Sequence, residues 1–201
     1  MEKQRSFLFE LYISLWWSPF DNSKILWLNK KSWYTSCNAA KEGELMKSTE
    51  ERTFVAIKPD SVKRGLIGRI LKRFENKGYK IVGLKMLKVT EELAEKHYAE
   101  HVGKPFYARL IKYITSGPII AMVLQGDNTV IGVRKLMGST LPSDAEVGTL
   151  RADFAQTMEF NVVHGSDSIE SAKREIDLYF RPEEICSDWK TMLELVMESE
   201  G

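Results

Sequence analysis

The sequence predicts one mixed α and β domain from about Glu51 to the C-terminus, with short apolar strands alternating with amphipathic helices. Three observations predict it. Runs such as RTFVAIK and PIIAMVLQG are rich in β-branched and aromatic residues and are bounded by Pro, Gly or Asp. Between them, apolar residues recur every three or four positions, the period of a helix with one buried face. A chain of 201 residues is long enough for one well-buried core with an appendage, and short for two full domains.

Each element can be justified in turn. RTFVAIK stops at Pro59-Asp60, a turn signal that cannot continue a central strand, so Lys58 is delivered to a sheet end. GLIGRILKRFENKG sets Leu66, Ile67, Ile70, Leu71 and Phe74 at helical spacing, with Gly78 as the stop. YKIVGLKMLKV alternates as a half-buried second strand. Thr90 then caps a charged helix over Glu91 to Lys96 that carries Tyr98. After Pro105-Phe106, YARLIKYI is helical and closes at Ser116-Gly117-Pro118. PIIAMVLQG is apolar enough to be a central strand covered on both sides. NTVIGVRKLMG is helical again, and Ser139 to Thr149 forms a long loop of the kind that usually carries function. FNVV is a short strand ending at His164-Gly165, and Ser166 to Phe180 is a helix whose mouth carries Ser, Asp and Ser. This alternation leaves parallel and antiparallel order open.

Composition narrows the function classes. Lys plus Arg total 29 against 28 Asp plus Glu, so the cationic excess of a dedicated nucleic-acid binder is missing and anionic ligands must be met locally. Basic runs such as Lys63-Arg64 and Lys72-Arg73 read as solvated helix faces. Cys37 and Cys186 are far apart and lack a metal-ligand pattern, which fits a reducing compartment and a cytoplasmic address. Residues 1–50 differ in character: Trp16, Trp17, Trp27 and Trp33 lie there, and the apolar stretch after Lys3 and Arg5 is interrupted by Glu10 and is too short to span a bilayer. This N-terminal extension reads as a disordered leader, an upstream misassignment of a start at Met46, or an aromatic segment touching a membrane.

The familiar phosphate motifs are missing. The sequence has no GxxxxGK loop followed by Ser or Thr, no GxGxxG, and no HRD or DFG element. NVVHGSDS supplies another arrangement: a histidine between an apolar strand and a helix mouth, with Gly165 allowing close approach. Neutral imidazole attacks phosphorus at physiological pH and leaves readily once phosphorylated. A lone histidine at a strand end is usually structural, and a lone Lys or Arg is usually a solvated charge. The wider set changes the weighing. Lys58, Arg134, Thr140 and Arg151 together offer an ammonium, two guanidinium forks and a hydroxyl to a triphosphate.

IKPDSVKRGLIG, HYAEHVGKPFY, YITSGPIIAMVLQG, GSTLPSDAEVGTLRADF, NVVHGSDS, SAKREI and YFRPEEI resemble, in order and spacing, the successive signature blocks of the nucleoside diphosphate kinase family. The resemblance spans essentially everything after Glu51. It implies an α+β fold, a ferredoxin-like βαββαβ sandwich with an antiparallel four-stranded sheet, assembled as a hexamer or tetramer. It implies transfer of the γ-phosphoryl group of ATP or another nucleoside triphosphate to a nucleoside diphosphate. It implies ping-pong turnover through a pros-phosphohistidine at His164.

The same resemblance carries roles to particular residues. Glu175, eleven residues after His164, falls on the glutamate that bonds the other imidazole nitrogen. Lys58, Tyr98, Arg134, Thr140 and Arg151 fall on phosphate ligands, with Lys58 also counted as catalytic. Lys58 and Asn161 fall on ribose contacts, and Phe106 on the base clamp, with Leu110 and Met158 lining the opening. A clamp of faces without base-edge bonds accepts any base. Mg²⁺ is implied as cofactor, held by phosphates and water rather than by protein side chains. Three departures stand out: Ser61 where the family more often has glycine, a divergent tail after Trp189, and residues 1–50. Two rival readings are a binding protein that keeps this fold without activity and a membrane-anchored kinase held by the aromatic N-terminus.

Overall fold

A computed structural model describes residues 51–199; the readings of the N-terminal extension lie outside them. Four strands form one antiparallel sheet in the order β2-β3-β1-β4: β1 is Glu51–Ile57, β2 Lys80–Lys88, β3 Pro118–Gly126 and β4 Val163–Gly165. The order left open by the sequence is thus settled, since β1 pairs antiparallel with both β3 and β4, and β2 with β3. β2 and β3 are joined not by a hairpin but by two helices, α3 (Glu91–His97) and α4 (Tyr107–Ile114). Among the described residues the other α-helices are α1 (Pro59–Lys63), α2 (Ile67–Asn76), α5 (Thr129–Met137), α6 (Leu150–Phe154), α7 (Ile169–Tyr179) and α8 (Met192–Ser199).

The central strands are buried on both faces because their side chains alternate between two cores. Val55, Ile57, Met122 and Leu124 pack against Ile70 and Phe74 of α2 and Val133 and Met137 of α5. Phe54, Ala56, Ala121 and Val123 face the other way, toward Ala94 of α3, Ile114 of α4 and Tyr179 of α7. Helix boundaries follow local chemistry. The Thr90 hydroxyl accepts from Leu93 N at 3.2 Å, and α2 ends where Gly78 adopts φ +91°, a conformation that favours glycine.

The segment around the histidine departs from expectation. The strand begins at Val163 rather than Phe160, because Val162 turns into the left-handed region at φ 61° and breaks the extended run. His164 therefore lies within β4, opposite Ala56, rather than after it. The helix starts at Ile169, with Ser168 as its cap and Ser171 completing a capping box. Gly165 admits a neighbour, as expected, but that neighbour is protein: a Cβ there would meet Met137 Sδ at 2.6 Å, so the glycine lets α5 pack on the sheet.

Candidate active site

The sheet fixes the imidazole backbone, and α7 fixes the ring. His164 Nε2 lies 2.9 Å from Glu175 Oε2, and Ser166 Oγ donates to the same carboxylate oxygen at 2.8 Å. Ser166 is fully buried and is not part of the helix cap. With Nε2 engaged as a donor to the carboxylate, the lone pair sits on Nδ1. His97, which sequence reasoning missed, stands edge-on to His164 with centroids 4.6 Å apart and also touches Phe54, Tyr98 and Tyr179. Burial, then the charges of His164 and other neighbours, push its pKa down to about 2, so it stays neutral. The HY pair of HYAEHVGKPFY was the available signal, but a histidine beside an aromatic is common in cores.

A second cluster joins β1 to the segment before β4. Lys58 Nζ donates to Asn161 Oδ1 at 2.5 Å, and Asn161 Nδ2 donates to the Thr140 carbonyl at 3.3 Å. Burial, with the Arg151 charge second, lowers the Lys58 pKa to about 8. Arg151 is itself buried: its guanidinium donates to the carbonyls of Gly138 at 2.8 Å, Val163 at 3.0 Å and Asn161 at 3.3 Å. It therefore holds the long loop and the β4 entry together, a structural duty not foreseen. Burial and the neighbouring Arg134 lower its pKa to about 10, so it is charged at neutral pH. Arg134 is exposed and makes no ion pair among the described residues, although its charge adds to the Ser171 hydroxyl in holding the Asp167 carboxyl below its usual range. Ser61 is fully buried, and its Oγ donates at 2.9 Å to the Val162 carbonyl, which also accepts from Lys58 N at 3.0 Å.

Outside this cluster, α4 and the segment before Asn161 present apolar side chains. Phe106, at the start of α4, is 40% exposed, and Met158 is 61% exposed, whereas Leu110 is partly buried. An aromatic row runs inward: Phe106 is 5.5 Å from His101, His101 is 6.0 Å from Tyr98, and Tyr98 is 4.4 Å from His97 by ring centroids. Tyr98 is buried, and that burial raises its pKa well above the usual phenol range. The ligand atoms of His97, His164 and Glu175 lie within 4.8 Å of one another. Glu175 is committed to His164 and Ser166, so this cluster reads as an orienting network rather than a cation cage.

An imidazole oriented by a carboxylate, with a buried ammonium and guanidinium on neighbouring segments and exposed apolar side chains outside them, has the chemistry to receive an organic phosphate. Comparison with known proteins identifies the family. The family model for nucleoside diphosphate kinase matches residues 51–185. A nucleoside diphosphate kinase of Thermus thermophilus is 59% identical over 135 residues, which cover 67% of this chain and 98% of that one. One from Methanocaldococcus jannaschii is 58% identical over 136 residues, covering 68% and 97%. Among solved structures, a halophilic nucleoside diphosphate kinase from Halobacterium salinarum in complex with CDP superposes with a TM-score of 0.71 at 47% identity, over 73% of this chain and 97% of that one. A family member from Babesia bovis gives 0.70 at 41% identity, over 73% and 99%. The chain belongs to the nucleoside diphosphate kinase family, and so is a phosphotransferase.

Proposed function

We propose that His164 Nδ1 is the group that carries the phosphoryl between nucleotides. The observation that carries this reading is the 2.9 Å contact between His164 Nε2 and Glu175, which sets the tautomer. The Nδ1 lone pair attacks the γ-phosphorus of ATP, the bond to the bridging oxygen breaks, and its electron pair leaves on the β-phosphate of ADP. A nucleoside diphosphate then binds the same site, and its terminal phosphate oxygen takes the group while Nδ1 regains its lone pair. One shared site gives ping-pong turnover. His164→Ala should abolish exchange between ATP and GDP while nucleotide binding survives; substantial residual exchange would sink the assignment.

Lys58, Arg134 and Arg151 supply positive charge where the transferring group develops negative charge, with Tyr98 and Thr140 completing the phosphate contacts. Arg151 has three donors committed to carbonyls and the rest of its fork free for phosphate. Lys58 and Asn161 are placed to meet the ribose. The phosphate-side donors are cationic or neutral, which fits Mg²⁺ arriving on the triphosphate, held by phosphate oxygens and water. When bound there it would neutralise phosphate charge. Phe106 stacks on the base, with Leu110 and Met158 beside it, so specificity across bases stays within about tenfold, ~1.4 kcal/mol.

Self-assembly is supported by the edge strand β2, whose Leu84 and Met86 are 50% and 57% exposed, since an uncovered apolar edge is a pairing surface. A cytoplasmic address is supported by the cysteine usage, and no helix among the described residues is long and apolar enough to cross a membrane. On this reading residues from Met46 onward suffice for transfer. A chain beginning there should keep both activity and melting temperature.

A further inference from the structure

Tyr113 holds together parts of the site that are far apart in sequence. It lies in the last turn of α4, the helix that begins just after Phe106, and its hydroxyl donates to Asp60 Oδ1 in the first turn of α1. Burial, then that bond, raises the Tyr113 pKa far above the usual phenol range, so the hydroxyl stays a donor. The other carboxylate oxygen, Asp60 Oδ2, is buried with no hydrogen-bond partner among the described residues. Tyr113 therefore holds Asp60 in place. The same ring meets Phe160 edge-on, with centroids 5.3 Å apart. Phe160 precedes Asn161, which accepts from Lys58 Nζ, and Lys58 is the N-cap residue of α1, two positions before Asp60. The contacts close into a ring that runs from Tyr113 through Asp60, Lys58, Asn161 and Phe160 back to Tyr113.

We infer that Tyr113 is a positioning residue for phosphoryl transfer, fixing the Lys58 ammonium through Asp60 on one side of the ring and through Phe160 and Asn161 on the other; this rests on the reading of Lys58 as a phosphate ligand. A lysine ammonium is a point charge on a flexible stem, so its bond to Asn161 places it only as well as the two joined segments are themselves placed. Tyr113 touches both segments. Asp60 lies near enough for its charge to act on Lys58, opposing burial and the Arg151 charge, which lower the Lys58 pKa. A shift of the ammonium by about 1 Å is enough to weaken a phosphate contact and slow transfer. The Tyr113 hydroxyl needs only an acceptor, which a carboxamide supplies as well as a carboxylate does.

The test is calorimetric titration of the full chain with GDP, beside transfer from ATP to GDP, at about pH 7, below the Lys58 pKa of about 8. Lys58→Met gives the size of the Lys58 contact. Tyr113→Phe and Asp60→Ala should each raise the GDP Kd about three- to tenfold and lower kcat/KM at least as much. Asp60→Asn, which keeps an acceptor for the hydroxyl, should stay within about twofold of the unaltered chain. In a Lys58→Met background Tyr113→Phe should add nothing, because its effect passes through Lys58. Thermal melts establish that each variant is folded at the assay temperature, and should Tyr113→Phe not fold, the comparison of Asp60→Ala with Asp60→Asn decides. Suppose Lys58→Met weakens binding, but Tyr113→Phe leaves it unchanged, acts equally without Lys58, or is matched by an equal loss in Asp60→Asn. Tyr113 is then a strut of the fold, and the inference is overturned while Lys58 keeps its role. If Lys58→Met leaves binding unchanged, the Lys58 reading fails and the inference with it.

Discussion

Lys58 and Asn161, 103 positions apart in sequence, meet through a 2.5 Å hydrogen bond that ties the end of β1 to the residue before the left-handed turn at Val162. The bond keeps a buried ammonium at the entry to β4. Burial lowers the Lys58 pKa from 10.5 to about 8, and this has opposite consequences for stability and for function. Between about pH 8 and 10.5 the unfolded chain binds more protons than the folded one, so Lys58's contribution to stability rises with pH across that window. Its burial penalty is fully present below about pH 8 and gone above 10.5. Its attraction for phosphate is lost over the same range. We expect KM for a nucleoside diphosphate to climb above about pH 8, and that alkaline limb to vanish in Lys58→Met. A pH-independent KM through that range would contradict the assignment of Lys58 as a phosphate ligand.

Arg151 and Arg134 should separate stability from activity. Arg151→Ala removes a buried fork and strands the carbonyls of Gly138 and Val163, while the Asn161 carbonyl keeps its bond from Val163 N at 2.7 Å, so it should cost about 1–3 kcal/mol of stability as well as turnover. Arg134 is exposed and makes no close ion pair among the described residues, its charge acting on Asp167 only at longer range, so Arg134→Ala should change stability by less than about 0.5 kcal/mol. Its loss in transition-state stabilisation should be on the order of 2 to 4 kcal/mol. Urea unfolding beside kcat/KM checks both. Near-normal turnover in either variant would remove that arginine from the transferring charge.

Ser61 is expected to compensate for strain. A β-branched residue at positive φ is unfavourable by roughly 1–2 kcal/mol, and Val162 at φ 61° is held there by two hydrogen bonds to its carbonyl, from Lys58 N and Ser61 Oγ. Ser61→Ala removes one of them and should destabilise by about 1 kcal/mol. Denaturant midpoints measure it; an unchanged midpoint would show that the backbone bond alone holds the turn.

Periodicity was enough to place β1, β2, β3 and, between them, α2, α3 and α4, whereas the five-residue α1 at Pro59–Lys63, read as a turn, is too short to show a helical period. It could not give the sheet order, which depends on pairing between distant segments. Nor could it place β4, where a single backbone reversal at Val162 ends an apolar run that reads as strand. The residues proposed to meet the nucleotide were legible through the motifs that carry the family resemblance: His164 in NVVHGSDS, Glu175 in SAKREI and Lys58 in IKPDSVKRGLIG. Those that act through packing were hidden. His97 and Ser166 look ordinary in sequence, and the carbonyl contacts of Arg151 exist only once Gly138, Asn161 and Val163 converge.

The claim that His164 carries the phosphoryl is tested most directly by incubating the protein with γ-labelled ATP, quenching, and following the protein-bound label through acid and alkali and then into added GDP. We predict label on His164 that is lost in acid, kept in alkali, absent from His164→Ala, and chased quantitatively by GDP. Label that resists acid, persists in His164→Ala, or fails to transfer to GDP would contradict it.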